Sequence, residues 1–272
     1  MIKSSSMKNF SFAALLLLVA CNSTRNIAGS NSALPVNTVI NGKLFTALYQ
    51  QKAAEYRALC YQGYNIARWQ IDNYQPVSNK PKAIITDIDE TILDNSPYAV
   101  HQALQGKDYE AATWYQWTDK SAADTMPGAG ALLRYAASKG IEVFYITNRE
   151  ERERGSTLQN LQRFGLPNTD NAHFIPKATI SSKEQRRQTV MATHEVILLM
   201  GDNLADFSLL FDKKTVAERK QNTDANYGAF GKKFIVFPNP GYGDWESSMN
   251  QYKYSFTAAQ KDSIIRANVT GY

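Results

Sequence analysis

The residues with the clearest chemical potential are carboxylates that directly follow short apolar runs. Asp87 and Asp89 follow a run that begins at Ala83, and Asp202 and Asp206 follow a second such run. Runs of this kind are typical of strands buried on both faces of a parallel sheet. Ligands of open α/β sheets bind beyond the carboxyl ends of the strands. The acids are therefore predicted to meet at one sheet edge, although strand ends that turn into solvent would show the same pattern.

Carboxylates that lie this close repel each other unless a cation or a shared proton offsets their charge. The chemistry indicated for Asp87 and Asp89 is an aspartate nucleophile with a second aspartate as acid and base, held around a divalent metal. Together with Asp202 and Asp206 they form an all-oxygen ligand set, which suits Mg²⁺.

A third apolar run, 141–146, ends in Thr147 and Asn148 ahead of a charged segment that is predicted to be helical from Glu150 to about Phe164. A hydroxyl and an amide at a helix N-terminus can hold a phosphate. The same residues could equally do no more than cap the helix.

Lys183 begins a predicted helix, about 182–193, where its charge could offset that of a phosphate. A solvated lysine is the plainer reading. Trp114 and Trp117 share one face of a predicted helix, so either could stack on a flat group such as a nucleobase or anchor the core. Tyr242 follows the last predicted strand, again with core packing as the alternative.

The elements that must position these residues predict an α/β fold with a Rossmann-like parallel sheet. Strands are predicted at 83–86, 141–146, 171–175, 195–200 and 232–237, and a helical segment precedes them at about 37–73. Leu48, Leu59 and Trp69 recur there at roughly helical spacing and could pack on the core or on a second subunit. About 96–126 shows little strand character and is predicted to be a small inserted helical cap.

The start of the chain is typical of an exported bacterial lipoprotein. Residues 1–20 combine Lys3 and Lys8 with an apolar stretch too short to span a bilayer, and Cys21 follows a small residue in the pattern of a lipidation site. Residues 21–35 read as a flexible tether, and residues 36–272 as the folded domain. Asn22, after the cysteine, favours the outer membrane by similarity to bacterial lipoproteins.

Composition excludes some classes of function. Loss of residues 1–20 would remove Lys3 and Lys8 and no acid, which lowers the formal charge from +5 to +3. No basic stripe indicates a nucleic-acid polymer as partner, although a mildly positive field favours small anionic substrates. Lipidation of Cys21 would leave Cys60 without an intramolecular partner, so it is predicted to be a buried thiol. The three histidines, with no metal-ligand spacing, are predicted to be structural.

Three segments together resemble one family. They are 87–98 (DIDETILDNSPY), 144–149 (FYITNR) and 201–207 (GDNLADF), with a lipoprotein site before them and the turn 240–245 (PGYGDW) after them. The chain thereby resembles the class C nonspecific acid phosphatases and lipoprotein 5′-nucleotidases of the haloacid dehalogenase (HAD) superfamily.

The resemblance implies a HAD-type core with a small α-helical cap, Mg²⁺ dependence and hydrolysis of phosphomonoesters, with nucleoside 5′-monophosphates as the expected substrates. It further implies a role for each matching residue. By this resemblance Asp87 is the nucleophile and a metal ligand, and Asp89 is the acid and base and binds the metal through its carbonyl. Asp202 and Asp206 complete the metal site. The phosphate is bound by Thr147, Asn148 and Lys183, and the nucleobase is clamped by Trp114 and Tyr242. The segment 180–187 departs most from the family pattern, so Lys177 could replace Lys183.

Two other functions stay open at this point. One is a broad-specificity acid phosphatase or phosphotransferase without preference for nucleotides. The other is a lipid-anchored binding protein without catalytic activity, against which the intact set of Asp87, Asp89, Thr147, Asp202 and Asp206 argues.

Overall fold

The computed structural model describes residues 38–272, so the predicted signal peptide, Cys21 and the predicted tether lie outside the described residues. The described chain contains seven strands: β1 (Lys82–Thr86), β2 (Leu93–Asp94), β3 (Asp124–Thr125), β4 (Glu142–Glu150), β5 (Phe174–Lys177), β6 (Glu195–Gly201) and β7 (Phe234–Val236). Its α-helices are α1 (Thr38–Lys52), α2 (Ala54–Asn73), α3 (Ser96–Leu104), α4 (Ala111–Thr118), α5 (Ala129–Ser138), α6 (Arg154–Arg163), α7 (Glu184–Thr193), α8 (Val216–Ala225), α9 (Asp244–Met249) and α10 (Ala258–Asn268).

Five of the strands form one parallel sheet in the order β5-β4-β1-β6-β7. β1 lies at the centre, and all seven residues of β6 are buried. Aliphatic runs form such strands because both faces of a central parallel strand are covered by helices. The α/β fold with a parallel sheet that the sequence predicts is therefore confirmed.

The segment after β1 leaves the sheet and returns to it. β2 and β3 pair antiparallel, Leu93 opposite Thr125 and Asp94 opposite Asp124. α3 and α4 lie between these two short strands, so the pair closes the base of a small helical cap. This is the helical insertion predicted at about 96–126.

The N-terminal helical segment is two helices joined at Ala53, whose backbone is extended. Leu48, Leu59 and Trp69 do not pack on the core of this subunit, because they are about half exposed or more. Their packing on a second subunit stays a prediction. α2 instead buries a face rich in tyrosine and small residues: Tyr56, Cys60, Tyr64, Ala67 and Ile71. The phenol groups reach polar partners inside the protein, since Tyr56 donates to the Pro238 carbonyl and Tyr64 to the Thr91 carbonyl.

The buried state predicted for Cys60 is confirmed, because its side chain is fully buried and forms no disulfide. Gly140 has φ +69° directly after the last turn of α5, as expected for a residue that ends a helix. Within residues 38–272, no helix combines the length and the apolar character that crossing a bilayer requires.

β4 is longer than predicted, and this changes the surroundings of Thr147 and Asn148. The strand continues through both residues to Glu150, which pairs with Lys177 of β5 after a shift in register. α6 begins only at Arg154, after a short 3₁₀ turn that Glu150 and Glu153 cap reciprocally. Thr147 and Asn148 therefore do not cap a helix.

Candidate active site

The acids of the two central strands meet at the carboxyl edge of the sheet. The backbone N–H of Asp87 donates to the Met200 carbonyl over 2.9 Å, which fixes the end of β1 against the end of β6. Ligand atoms of Asp87, Asp202 and Asp206 lie within 4.8 Å of one another. The sequence-predicted acids are thus brought together, with the carboxylate of Asp89 beside this group rather than in it.

Gly201 shows how closely this edge is packed. A Cβ atom at position 201 would lie 2.6 Å from Cβ of Asp206 and closer still to its carboxylate. Asp206 in turn accepts the backbone N–H of Asn203 over 3.0 Å. The glycine therefore allows the loop after β6 to fold its acid back over the strand.

Lys183 lies among the acids and is itself buried. Its Nζ is 2.5 Å from Oδ1 of Asp87 and 2.7 Å from Oδ1 of Asp206. Burial opposes the charge of the ammonium, but the carboxylates of Asp206 and Asp87 raise its pKa above the ordinary lysine value. Lys177 is paired instead with Glu150 over 2.9 Å, so Lys183 is the lysine at the acidic cluster.

The acidic cluster carries more negative charge than one lysine offsets. Burial raises the pKa of Asp87 to about 6, against the lowering effect of Lys183 and with a further rise from Asp206 and Asp89. Burial and the charges of Asp87 and Asp206 raise the pKa of Asp202 as well. Three crowded carboxylates, of which Asp87 and Asp202 have raised pKa values, are the donor set that a hard divalent cation would bind and stabilise.

Asp89 has different partners from the other acids. Arg149 forks onto its carboxylate, with Nη2 2.8 Å and Nε 3.0 Å from Oδ1, and Asn95 donates to the same oxygen over 2.8 Å. Arg149 is buried at the end of β4. The sequence alone predicts no role for either partner, and its only signal is that each lies inside a segment that resembles the family.

A cavity of about 370 Å³ opens in front of these acids. Asn148, Lys183, Trp114 and Tyr242 line it, but Thr147 does not. The Thr147 side chain is fully buried, and its hydroxyl accepts the backbone N–H of Arg149 over 3.1 Å. The structure thus places Asn148 and Lys183, rather than the Thr147 hydroxyl, at the wall of the cavity.

Two of the aromatic residues at the cavity wall, Trp114 and Tyr242, are held by acids. Trp114 donates from Nε1 to Glu153 over 2.9 Å, and Tyr242 donates its hydroxyl proton to the buried Glu90. Trp117, on the same face of α4, packs against the main core and donates to Asn95 over 2.8 Å. One tryptophan of the pair is therefore a wall of the cavity and the other a core anchor.

The far end of the cavity is formed by α1 and the cap. Lys43 of α1 is 2.7 Å from Asp108, which follows α3. Asp108 also accepts from Lys261 of α10 over 2.6 Å. The N-terminal helix is thus a wall of the site, a role that its sequence alone does not show.

The site lies at the edge of a parallel sheet beneath a helical cap, with Lys183 between Asp87 and Asp206 and with Arg149 bound to Asp89. This arrangement is typical of HAD-type phosphatases. The family described as HAD superfamily, subfamily IIIB (acid phosphatase) matches residues 6–245. The chain belongs to this acid phosphatase family.

Solved structures agree with this assignment. The class C acid phosphatase from Bacillus anthracis superposes with a TM-score of 0.83 at 38% identity, covering 86% of this chain and 99% of that one. The same enzyme with tungstate bound gives a TM-score of 0.83 at 38% identity and covers 87% and 100% of the two chains.

A plant relative is more distant. Acid phosphatase 1 of Solanum lycopersicum is 30% identical over 130 residues, which are 45% of this chain and 50% of the plant protein. The match therefore spans about half the length of that relative.

Proposed function

We propose that this protein hydrolyses phosphate monoesters through a phosphoaspartate intermediate on Asp87, with Mg²⁺ as cofactor. The observation that carries the proposal is the contrast between two neighbouring aspartates. Asp87 is paired with a buried lysine inside the acidic cluster, whereas Asp89 is held outside the cluster by Arg149 and Asn95. This contrast gives the two carboxylates the different environments that a nucleophile and an acid–base residue need.

The cation would be held by Asp87, Asp202 and Asp206, whose crowded carboxylates fit a hard divalent ion. Asn239 supports this set, because its amide donates to Oδ2 of Asp202 over 2.7 Å. When bound, the cation neutralises charge on the phosphoryl group.

In the first step a carboxylate oxygen of Asp87 bonds to phosphorus and the ester P–O bond breaks. The bonding pair stays on the leaving oxygen, which takes the proton of Asp89. The ammonium of Lys183, whose Nζ is 2.5 Å from Oδ1 of Asp87, offsets charge on the phosphoryl oxygens. The alcohol then leaves the cavity.

In the second step Asp89 takes a proton from water as the water oxygen bonds to phosphorus. The bond between phosphorus and Asp87 breaks, which releases phosphate and restores the carboxylate. Arg149 and Asn95 hold Asp89 in place for both proton transfers.

Phosphate release from 4-nitrophenyl phosphate tests this proposal. The wild type is expected to turn over with Mg²⁺ and to stop with EDTA, and Asp87→Asn is expected to lose activity by roughly 10³-fold or more because the nucleophile is gone. Asp124→Asn, an exposed acid in the cap, is the matched control. Metal-independent turnover, or an active Asp87→Asn, contradicts the mechanism; no turnover of any ester favours the binding-protein alternative.

We further propose that nucleoside 5′-monophosphates are the preferred substrates, with the base between Trp114 and Tyr242. Both rings line the cavity, and their polar atoms are occupied by Glu153 and Glu90, so each presents its apolar surface. Stacking of a base on an aromatic ring contributes roughly 1–3 kcal/mol.

Comparison of adenosine 5′-monophosphate with glycerol phosphate tests this preference. Trp114→Leu is expected to raise KM for the nucleotide about 10-fold and to change that for glycerol phosphate little. Trp69→Leu, an exposed tryptophan on α2, is the control. Equal kcat/KM for the two esters in the wild type would favour the broad-specificity phosphatase or phosphotransferase.

We also propose that Cys21 carries a lipid anchor to the bacterial outer membrane. This proposal is supported by the sequence of residues 1–22, which lie outside the described residues. Fractionation of cells that express the wild type and Cys21→Ser tests it. The wild type is expected in the outer-membrane fraction and the variant in the soluble fraction; the same distribution for both contradicts the anchor.

A further inference from the structure

The carboxylate of Asp89 is bonded asymmetrically. Oδ1 has three donors: Nη2 of Arg149 at 2.8 Å, Nε of Arg149 at 3.0 Å and Nδ2 of Asn95 at 2.8 Å. Oδ2 has a longer 3.3 Å contact with the same Nε. A carboxylate oxygen has two lone pairs, so three donors leave no room for a proton on Oδ1.

The two residues that hold Oδ1 are themselves fixed on several sides. Nη1 of Arg149 donates to the Thr157 hydroxyl over 3.1 Å, and its guanidinium carbon lies 5.6 Å from the centre of the Trp114 ring. The Arg149 side chain is 2% exposed, so its guanidinium is shielded from water. The charge and the planar geometry of the Arg149 guanidinium fit a carboxylate in a way that a lysine cannot reproduce.

Asn95 is oriented by the cap. Its Oδ1 accepts from Nε1 of Trp117 over 2.8 Å, which obliges the amide nitrogen to face Asp89. Its backbone N–H donates to Glu90 over 2.8 Å. The orientation of this side chain is therefore determined by α4 on one side and by the loop after β1 on the other.

We propose that Arg149 and Asn95 are positioning residues that reserve Oδ2 of Asp89 for proton transfer. They occupy Oδ1 and direct Oδ2, as the one oxygen able to carry a proton, toward the leaving group. This inference rests on the proposed function, in which Asp89 protonates the leaving oxygen. Its consequence is that loss of either residue harms proton donation more than it harms attack by Asp87.

Proton donation matters unequally for different esters. 4-Nitrophenolate is a stable anion and leaves with little help, whereas an alkoxide leaves only if it is protonated. General acid catalysis contributes roughly 10²–10⁴-fold where it is needed. We therefore expect Arg149→Gln and Arg149→Lys to lower kcat/KM by about 10²-fold for glycerol phosphate and by less than about 10-fold for 4-nitrophenyl phosphate.

The experiment measures kcat/KM for both esters at saturating Mg²⁺ in the wild type and the variants. kcat/KM isolates formation of the phosphoenzyme, and the ratio of the two values does not change if part of a preparation is misfolded. Asp89→Asn supplies the pattern expected for lost proton donation. Arg154→Gln, which removes a more exposed arginine paired with Glu151, is the matched control.

Asn95→Ala and Trp117→Phe keep the test decisive if Arg149 variants fail to fold. Asn95→Ala removes one donor to Oδ1. Trp117→Phe keeps Asn95 and an aromatic ring in the core, and removes the bond that orients the Asn95 amide. Both are expected to lower the alkyl-to-aryl ratio, by about 10-fold and about 3-fold.

A ratio unchanged from the wild type in the folded Arg149 and Asn95 variants overturns the inference and leaves the proposed function standing. A wild type that hydrolyses neither ester overturns the proposed function instead.

Discussion

At the scale of single residues, the main feature of the site is the crowding of negatively charged carboxylates. Asp87, Asp202 and Asp206 bring their ligand atoms within 4.8 Å of one another, and Lys183 offsets part of that charge. Burial of the site strengthens every one of these interactions. The remaining negative charge suits the cluster to the divalent cation proposed above.

Mg²⁺ is accordingly expected to stabilise the folded protein. A cation present at a hundred times its Kd adds about 2.7 kcal/mol to the free energy of unfolding. Thermal unfolding with Mg²⁺ and with EDTA measures this effect, and Asp202→Asn should remove most of the shift in Tm. Asp124→Asn is the control, and an equal shift in Asp202→Asn would exclude this cluster as the cation site.

The same shift is expected to shrink in acid. Burial and the neighbouring Asp206 and Asp89 raise the pKa of Asp87 to about 6, so below that pH a proton competes with the cation. The difference in Tm between Mg²⁺ and EDTA should therefore be smaller at pH 5 than at pH 7.5. A shift that is constant or larger at pH 5 would contradict the assignment of Asp87 as a ligand.

How far the sequence defines the site differs from residue to residue. Asp87, Asp202 and Asp206 were predictable because apolar strands deliver their side chains to one sheet edge. The burial of the Thr147 hydroxyl was not, because it follows from the extension of β4 to Glu150. The hydrogen bonds from Arg149 and Asn95 to Asp89 depend on contacts between β4 and the cap. No local sequence pattern predicts these contacts.

At the scale of elements, one clasp joins strands β4 and β5 at the opposite end from the site. His173 lies 2.9 Å from Glu142, the first residue of β4, and 2.8 Å from Asp170. His194, beyond α7, faces the same Glu142 over 3.5 Å. The two imidazoles flank the Phe144 ring, each with its centre 4.8 Å away.

This clasp predicts a pH-dependent contribution to stability. Partial burial lowers the pKa of His173, but the bonds with Glu142 and Asp170 outweigh burial and raise that pKa above its ordinary value. The contribution of His173 to stability is therefore complete below about pH 6.5 and is lost as pH rises through the raised pKa. The bond from His173 lowers the pKa of Glu142, so that part is present above about 4.5 and is lost in stronger acid. The clasp is therefore strongest between about pH 4.5 and 6.5.

His173→Gln is expected to lower the free energy of unfolding by about 1 kcal/mol at pH 5.5 and by less at pH 8.5, a modest value because Glu142 is partly exposed. Urea unfolding at the two pH values measures the difference. His101→Gln, on an exposed position of α3, should show no such dependence. A larger loss at pH 8.5 would reverse the sign and contradict the clasp.

The elements also show where periodicity misleads. The strands of the sheet were predictable because their burial on both faces leaves continuous apolar runs. The buried face of α2 was not, because it is built from tyrosines whose hydroxyls find partners such as the Pro238 carbonyl. Leu59 and Trp69, the residues that hydrophobicity favours, lie on the exposed side.

At the scale of the whole molecule, residues far apart in the chain enclose one cavity. Asp108 of the cap is bonded to Lys43 of α1 and to Lys261 of α10. Burial acts against the ionised form, but the two lysines lower the pKa of Asp108 to about 2. This contact among three elements holds the N-terminal and C-terminal helices against the cap.

Asp108→Asn is expected to lower the free energy of unfolding by about 1–2 kcal/mol at pH 6. Because the folded pKa lies below the ordinary 3.8, the contribution of Asp108 is present above about pH 4 and fades as pH falls toward 2. Chemical unfolding of the variant and the wild type at pH 6 and pH 3 checks both statements. Asp212→Asn, which changes a partly exposed acid outside this contact, is the control. Equal losses at the two pH values would contradict both statements.

The central claim is that Asp87 carries the phosphoryl group, and acid quenching of the protein during turnover of a ³²P-labelled phosphomonoester tests it most directly. The wild type with Mg²⁺ should retain label that hydroxylamine releases, as expected for an acyl phosphate. With an aryl ester, whose leaving group needs little protonation, Asp89→Asn should retain more label, because the water that cleaves the intermediate loses its base. Asp87→Asn should retain none. Label that persists in Asp87→Asn, or turnover by the wild type without labelled protein, would contradict the account.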